Sequence, residues 1–197
     1  MTGIVLAGGR STRFGSDKLT AIYRGEPLLH HAVHGLAEIC GDVVVVISFA
    51  GAQPSLPDAP NIRVVRDAHE AEGPLEGLVA ALEDMSTDLA VVAGGDMPDL
   101  SKAVLHDMIR IANETPSDAV ALQDADADPD GFRSLPAVVR VKPSRDAARS
   151  LLRAGERSLR TLLTELDVTV LGEAMWRTLD PNRGTLRDID EPVDLES

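Results

Sequence analysis

Leu6-Ala7-Gly8-Gly9-Arg10-Ser11-Thr12-Arg13-Phe14-Gly15-Ser16-Asp17-Lys18 stands directly after an apolar run, Gly3 to Ala7. A loop at the carboxyl end of a strand is where open α/β sheets collect ligands. Glycines there leave backbone amides free to approach an anion. Arg10, Arg13 and Lys18 place three of the chain's 19 basic residues within nine positions. The spacing matches neither the dinucleotide fingerprint nor the P-loop, because five residues separate Gly9 from Gly15 and Lys18 lies three beyond Gly15. A solvated turn would account for the glycine pair alone. Strand context, glycines, hydroxyls and spaced cations together favour a phosphate cradle.

Outward from this loop, short β-branched runs alternate with stretches of helical period, the pattern of parallel strands joined by crossover helices. The expected strands are Gly3 to Ala7, Val43 to Ser48, Ile62 to Val65, Leu89 to Ala93, Ala119 to Leu122 and Pro136 to Val141, with weaker ones at Val168 to Leu171 and Thr185 to Ile189. Helical stripes run through Leu29, Ala32, Val33 and Leu36, through Val104, Leu105, Met108, Ile109 and Ala112 after a Ser101 cap, and through Leu159, Leu162, Leu163 and Leu166. No repeat or linker-like tract divides the chain. The expectation is one α/β domain over residues 1–197, with a mostly parallel central sheet flanked by helices.

Composition narrows the function. With 44% apolar and 26% charged residues in 197, the chain can build a full core. Its net charge of −13 repels polyphosphate backbones and anionic leaflets, so nucleic acid and membrane are not expected partners. The one cysteine, Cys40, excludes an internal disulfide and a thiolate metal cluster, and reads as a small core hydrophobe. There is no basic leader before an apolar stretch, and no apolar run reaches the roughly 18 residues of a membrane span, so a cytoplasmic location is expected.

The run Leu-Ala-Gly-Gly-x-Ser-x-Arg-x-Gly-x-Asp-Lys at Leu6 to Lys18 resembles the signature of the molybdenum cofactor guanylyltransferases. Further likenesses are Asp67, Gly73-Pro74-Leu75-Glu76-Gly77-Leu78, Gly95-Asp96-Met97-Pro98, Gly155 to Arg160 and the terminal Asp188 to Leu195. The resemblance implies a Rossmann-like, nucleotide-diphospho-sugar transferase-like fold. It also implies transfer of GMP from GTP to molybdopterin or molybdenum cofactor, with loss of pyrophosphate, and leaves room for proteins that deliver or collect the cofactor.

Carried over residue by residue, Leu6, Ala7, Gly8, Gly9, Lys18, Asp67, Gly73, Pro74, Leu75 and Asp96 are the nucleotide-binding positions. Lys18 is assigned to charge on the α-phosphate and departing pyrophosphate, with Arg13 as its partner. Asp96 is the metal candidate, since Mg²⁺ takes few protein carboxylates and completes its shell with water and substrate phosphates. The acceptor is a phosphate monoester already anionic near neutral pH. The lack of a Ser/His/Asp or Cys/His arrangement therefore does not weigh against the reaction. His30, His31 and His34 are assigned to helix packing.

Two departures from the family pattern stand out. Its nucleotide-contacting Asn after the second strand has no counterpart here, with Ser48 the nearest substitute, and its frequent Asn-x-Asn is Asp188-Ile189-Asp190. Gly8-Gly9 with Gly73-Pro74-Leu75 leans toward GTP. The Asp-Ile-Asp form keeps a CTP-dependent cytidylyltransferase as the alternative, and a non-catalytic nucleotide-binding protein on the same scaffold is the rival from another class. The aspartates at 124, 126, 128 and 130 mimic a calcium loop. The twelfth position is Ala137 where a bidentate Glu is needed, so a solvated loop is expected, at the edge of the acceptor cleft.

Overall fold

Strand β1 (Thr2–Leu6) is buried on both faces, with Ile4 and Val5 both inaccessible to solvent, as an interior strand of a helix-covered sheet must be. The computed structural model describes residues 1–8, 18–58, 61–67, 73–83, 85–124 and 131–196. After β1 come a 3₁₀ turn at Lys18–Thr20, a small hairpin of β2 (Ile22–Tyr23) and β3 (Glu26–Pro27), and helix α1 (Leu28–Ala37). The chain continues through β4 (Asp42–Ile47), β5 (Ile62–Arg66), α2 (Pro74–Glu83), β6 (Leu89–Gly94) and α3 (Lys102–Glu114). The remainder is β7 (Ala119–Gln123), β8 (Phe132–Arg140), α4 (Val141–Arg153), α5 (Leu159–Glu165), β9 (Val168–Leu171), α6 (Glu173–Leu179) and 3₁₀ turns at Gly184–Leu186 and Pro192–Glu196.

Seven strands form one sheet in the order β5-β4-β1-β6-β8-β7-β9. Pairings β1–β4, β4–β5, β1–β6 and β7–β9 are parallel, while β8 runs antiparallel to both β6 and β7. Period-two alternation sends Val5, Val45 and Val91 to one face, under α1, α3 and Trp176 of α6, and Ile4, Val44 and Val92 to the other, under α2, α4 and α5. Burial of these two apolar layers is the main stabilising term. Ser101 caps α3 by accepting from the Val104 amide. Cys40 lies in the core, as expected.

The chain leaves β1 toward β4 and β5, then crosses back through α2 to pair β6 on the other side of β1. That reversal is the topological switch point of an open sheet, and the glycine-rich loop begins there.

Two sequence expectations need correction. Thr185 to Ile189 is not a strand. The Asp180 carboxylate accepts from the Gly184 and Thr185 amides (3.2 and 2.7 Å) and winds a 3₁₀ turn, while Ile189 packs with Tyr23 and Leu28 away from the sheet. The Pro136 to Val141 strand starts earlier, at Phe132, and ends at Arg140. Its first part, Arg133 to Leu135, is only half-buried and lacks the apolar run that marks the rest. Among the described residues no helix is long and apolar enough to cross a membrane.

Candidate active site

The parallel register sets Leu6 beside Val46 on one side and Gly94 on the other. The Ala7 amide extends the first pairing by donating to the Val46 carbonyl at 2.7 Å, and the Gly95 amide donates to the Leu6 carbonyl at 3.0 Å. The loop after β6 is thereby held against the end of β1. A Cβ at position 94 would displace the Asp96 carboxylate, which folds back over the end of its own strand, so the glycine leaves that carboxylate its place.

Lys18, at the far end of the glycine-rich loop, reaches this carboxylate. Its Nζ donates to Asp96 Oδ2 at 2.7 Å, to Asp190 Oδ1 at 2.9 Å and to the Ile189 carbonyl at 3.1 Å. Burial lowers the Lys18 pKa, but the hydrogen bonds and charges of Asp96 and Asp190 outweigh it and hold the ammonium above its ordinary value. The lysine is therefore charged at any pH of interest. Asp188 adds a third carboxyl to the neighbourhood. Burial raises its pKa, Arg133 opposes that, and the charges of Asp190 and Asp96 push it further up.

The segment carrying Asp188 and Asp190 is fixed from behind. Ile189 is fully buried against Tyr23 and Leu28, and its amide donates to the Asp96 carbonyl at 3.0 Å. Asp99 accepts from Tyr23 Oη (2.9 Å), Arg24 (2.7 Å) and Arg187 (3.2 Å), and Arg187 also donates to Tyr23 Oη and to the Asp194 carbonyl. The Asp194 carboxylate in turn accepts from the Asp190 and Glu191 amides. No role was expected from Tyr23, Asp99 or Arg187. They come from three distant stretches, and no spacing in the sequence links them.

A cavity of about 730 Å³ opens beside Asp96 and Asp188. It is also lined by Pro74, Arg133, Ser134, Arg157 and Arg160, so carboxylates and arginines share its lining. Arg133 bridges Asp188 at 3.2 Å and lies 3.9 Å from Asp124, which also holds Arg183 at 2.6 Å. Asp124 is thus buried and paired, contrary to the solvated loop expected for it; aspartates 126, 128 and 130 lie outside the described residues. The Gly73-Pro74-Leu75 element rests on the Arg157 loop, with the Leu75 amide donating to the Arg157 carbonyl at 3.4 Å. The Leu75 side chain is in the core, so its contribution to any ligand is through the backbone.

A second cluster forms where β1, β4 and β5 end. A Cβ on Gly8 would lie 3.4 Å from the Ser48 amide nitrogen and 3.6 Å from Asp67 Oδ2. On its other side Asp67 abuts the first turn of α2, where a Cβ on Gly77 would meet Asp67 Oδ1 at 2.8 Å. Asp67 is 9% exposed and Oδ1 has no hydrogen-bond partner among the described residues. Burial first, and the Glu76 charge second, push its pKa up to about 6. It is not a surface carboxylate paired with Arg66, whose guanidinium turns to the Ser48, Phe49 and Gly51 carbonyls. The structure joins Lys18 to Asp96 and Gly8 to Asp67. Gly9 and Arg13 lie outside the described residues.

The arrangement holds a cationic group, a carboxylate at the switch point and a buried acceptor at the end of a neighbouring strand, which is equipment for polarising and aligning a phosphorylated ligand. The chain is 34% identical over 199 residues to a protein of Chloroflexus aggregans named "probable molybdenum cofactor guanylyltransferase", covering 100% of this chain and 92% of that one. Its fold is shared with molybdopterin-guanine dinucleotide biosynthesis protein A from Archaeoglobus fulgidus (TM-score 0.78, 22% identity, 100% and 95% of the two chains). It is shared also with 2-C-methyl-D-erythritol 4-phosphate cytidylyltransferase from Thermus thermophilus (TM-score 0.70, 15% identity, 98% and 94%). The family model described as the MobA-like NTP transferase domain matches residues 3–170. With the loop, the switch point and these likenesses in agreement, the chain belongs to the MobA-like NTP transferase family of nucleotidyltransferases.

Proposed function

We propose that the protein transfers GMP from GTP to molybdopterin or its molybdenum-loaded form. The single observation that carries this reading is Lys18 meeting Asp96 at the switch point of the sheet. A phosphate oxygen of the acceptor attacks the α-phosphorus, the bond from that phosphorus to the bridging oxygen breaks, and pyrophosphate leaves with the electron pair.

Lys18 supplies positive charge where negative charge builds on the α-phosphate and the leaving group. It exchanges carboxylate oxygens for phosphate oxygens as the nucleotide enters. Asp96 and Asp188 both border the cavity and offer hard oxygen donors suited to Mg²⁺. Among the described residues no group of three His, Cys, Asp or Glu side chains is arranged to hold a metal ion, so of these residues Asp96 and Asp188 would serve as ligands, with phosphate and water completing the shell. Bound there, Mg²⁺ would neutralise phosphate charge. Arg133, Arg157 and Arg160, which line the same cavity, suit the anionic acceptor, and no base is required to deprotonate it.

Asp67 supports guanine as the base. Its carboxylate, with Oδ2 on the Gly8 side and Oδ1 without a partner among the described residues, offers two acceptors for N1–H and the exocyclic amine, donors that cytosine does not present in that pair. The Asp188-Ile189-Asp190 segment, placed by the structure beside Asp96, keeps CTP as the second reading. The test is pyrophosphate release with molybdopterin, Mg²⁺ and each of the four nucleoside triphosphates. GTP is expected to support turnover at least tenfold above the others; a clear CTP preference overturns the guanylyl assignment, and no release with any nucleotide overturns the activity.

A further inference from the structure

Phe49 stands 54% exposed one residue beyond the point where Gly8, Ser48 and Asp67 converge. Single exposed apolar side chains need no explanation in general. This one is mounted on a braced support. Ser48 to Gly51 forms a turn closed by the Gly51 amide donating to the Ser48 carbonyl at 3.1 Å. Arg66, from the end of β5, donates to the carbonyls of Ser48 (3.4 Å), Phe49 (3.3 Å) and Gly51 (2.7 Å), clamping the turn from beneath. The short bond from Arg66 Nη1 to Gly51, shared at longer range with Ser48 and Phe49, braces the backbone of this turn and lowers the entropic cost of ordering it on ligand binding.

Beside this turn lies the Asp67 carboxylate, with Oδ2 toward Gly8 and the Ser48 amide and Oδ1 buried against α2 without a partner among the described residues, and a carboxylate so little satisfied by the protein is suited to take donors from a ligand on its Oδ2 side. Asp67 can meet the edge of a planar heterocycle and leaves its faces uncovered. Aromatic side chains at nucleobase sites supply what is missing, because every base has a π face. We infer that Phe49 is the stacking platform for the nucleobase of the triphosphate, a specificity-neutral contact that raises affinity while Asp67 reads the edge. The inference rests on the nucleotidyltransferase reading above.

The experiment is equilibrium binding of GTP, and of inorganic tripolyphosphate as a probe without a base, to the full chain carrying Phe49→Ala, Phe49→Leu or Phe49→Trp. Phe49→Ala should weaken GTP about five- to 100-fold, the range seen when a stacking aromatic is truncated. Tripolyphosphate affinity should change less than twofold, which shows the phosphate site intact. Phe49→Leu should behave like Phe49→Ala although it stays apolar. Phe49→Trp should keep GTP affinity, with an added tryptophan emission that GTP quenches and tripolyphosphate does not. Phe49→Ala binding GTP within twofold of wild type overturns the platform, as does equal loss for both probes. A wild-type chain that binds tripolyphosphate but gains nothing from any base overturns the nucleotide reading and the platform with it.

Discussion

Lys18 and Asp96, 78 positions apart in the chain, are joined by a 2.7 Å hydrogen bond, and the same ammonium reaches Asp190 at 2.9 Å. The lysine arrives from the glycine-rich loop, the first aspartate from the end of β6 and the second from the segment after Arg187. Neither Lys18 nor Asp96 is fully buried, so the pair contributes little to stability. Lys18→Met and Asp96→Asn are each expected to lower pyrophosphate release by about 10²–10³-fold, the cost of removing charge stabilisation from a transition state. Melting temperatures should stay within a few degrees of wild type. Near-normal turnover of Asp96→Asn would remove that carboxylate from the chemistry.

Asp67 should give opposite signatures in stability and in binding. Its carboxyl titrates near 6 in the fold against 3.8 in an unfolded chain. Between those values the fold holds the extra proton, so stability falls as pH rises through that window and stays lower above it. Asp67→Asn removes this penalty, and its melting temperature should exceed wild type by a few degrees at pH 8 and match it at pH 4. GTP affinity should move the other way in the wild type, rising from pH 5 to 7 as the acceptor ionises, with a flatter profile in Asp67→Asn. Parallel thermal scans and titrations decide; equal slopes for the two proteins would exclude Asp67 from the base site.

Ile189 carries its neighbours into place. Truncation to alanine empties a fully buried site and should cost about 2–5 kcal/mol of unfolding free energy. Because Asp188 and Asp190 flank it, turnover should fall more steeply than stability explains when both are measured well below the melting transition. Arg187→Lys should restore part of what Arg187→Ala loses, since a single ammonium can satisfy Asp99 but not also the Asp194 carbonyl. A rate that follows folded fraction alone would make this segment mere scaffolding.

Gly77→Ala places a methyl group 2.8 Å from Asp67 Oδ1 and 2.9 Å from Val46 Cγ1. Relief requires α2 to shift or Asp67 to turn, and over-packing of this sort costs about 1–3 kcal/mol. Chemical denaturation should show that loss together with weaker GTP binding. Unchanged binding would separate the helix from the base site.

Most of the sheet was legible because its strands are short, β-branched and buried, and the stripes of α1, α3 and α5 repeat at helical period. Helices α2, α4 and α6 were not anticipated; in α4 only Val141, Ser144 and Ala148 are buried, a stripe too thin to read as a face. Lys18 and Asp96 could be singled out because each sits in a local motif. Their contact could not, since it depends on how β1 and β6 pair. The Tyr23, Asp99 and Arg187 group is long-range throughout, and the burial of Asp124 is set by Arg133 and Arg183 arriving from elsewhere.

Strand β8, alone in running against its neighbours in the seven-stranded sheet, enters at the same end where β1 and β6 finish. Arg133 to Leu135 therefore reach the cavity from a stretch of chain that shares no backbone with the glycine-rich loop. On the proposed reading the two substrates are thus held by different stretches of chain, and exchanging the entry to β8 and the Arg157 loop is expected to change the second substrate while leaving nucleotide affinity unaltered.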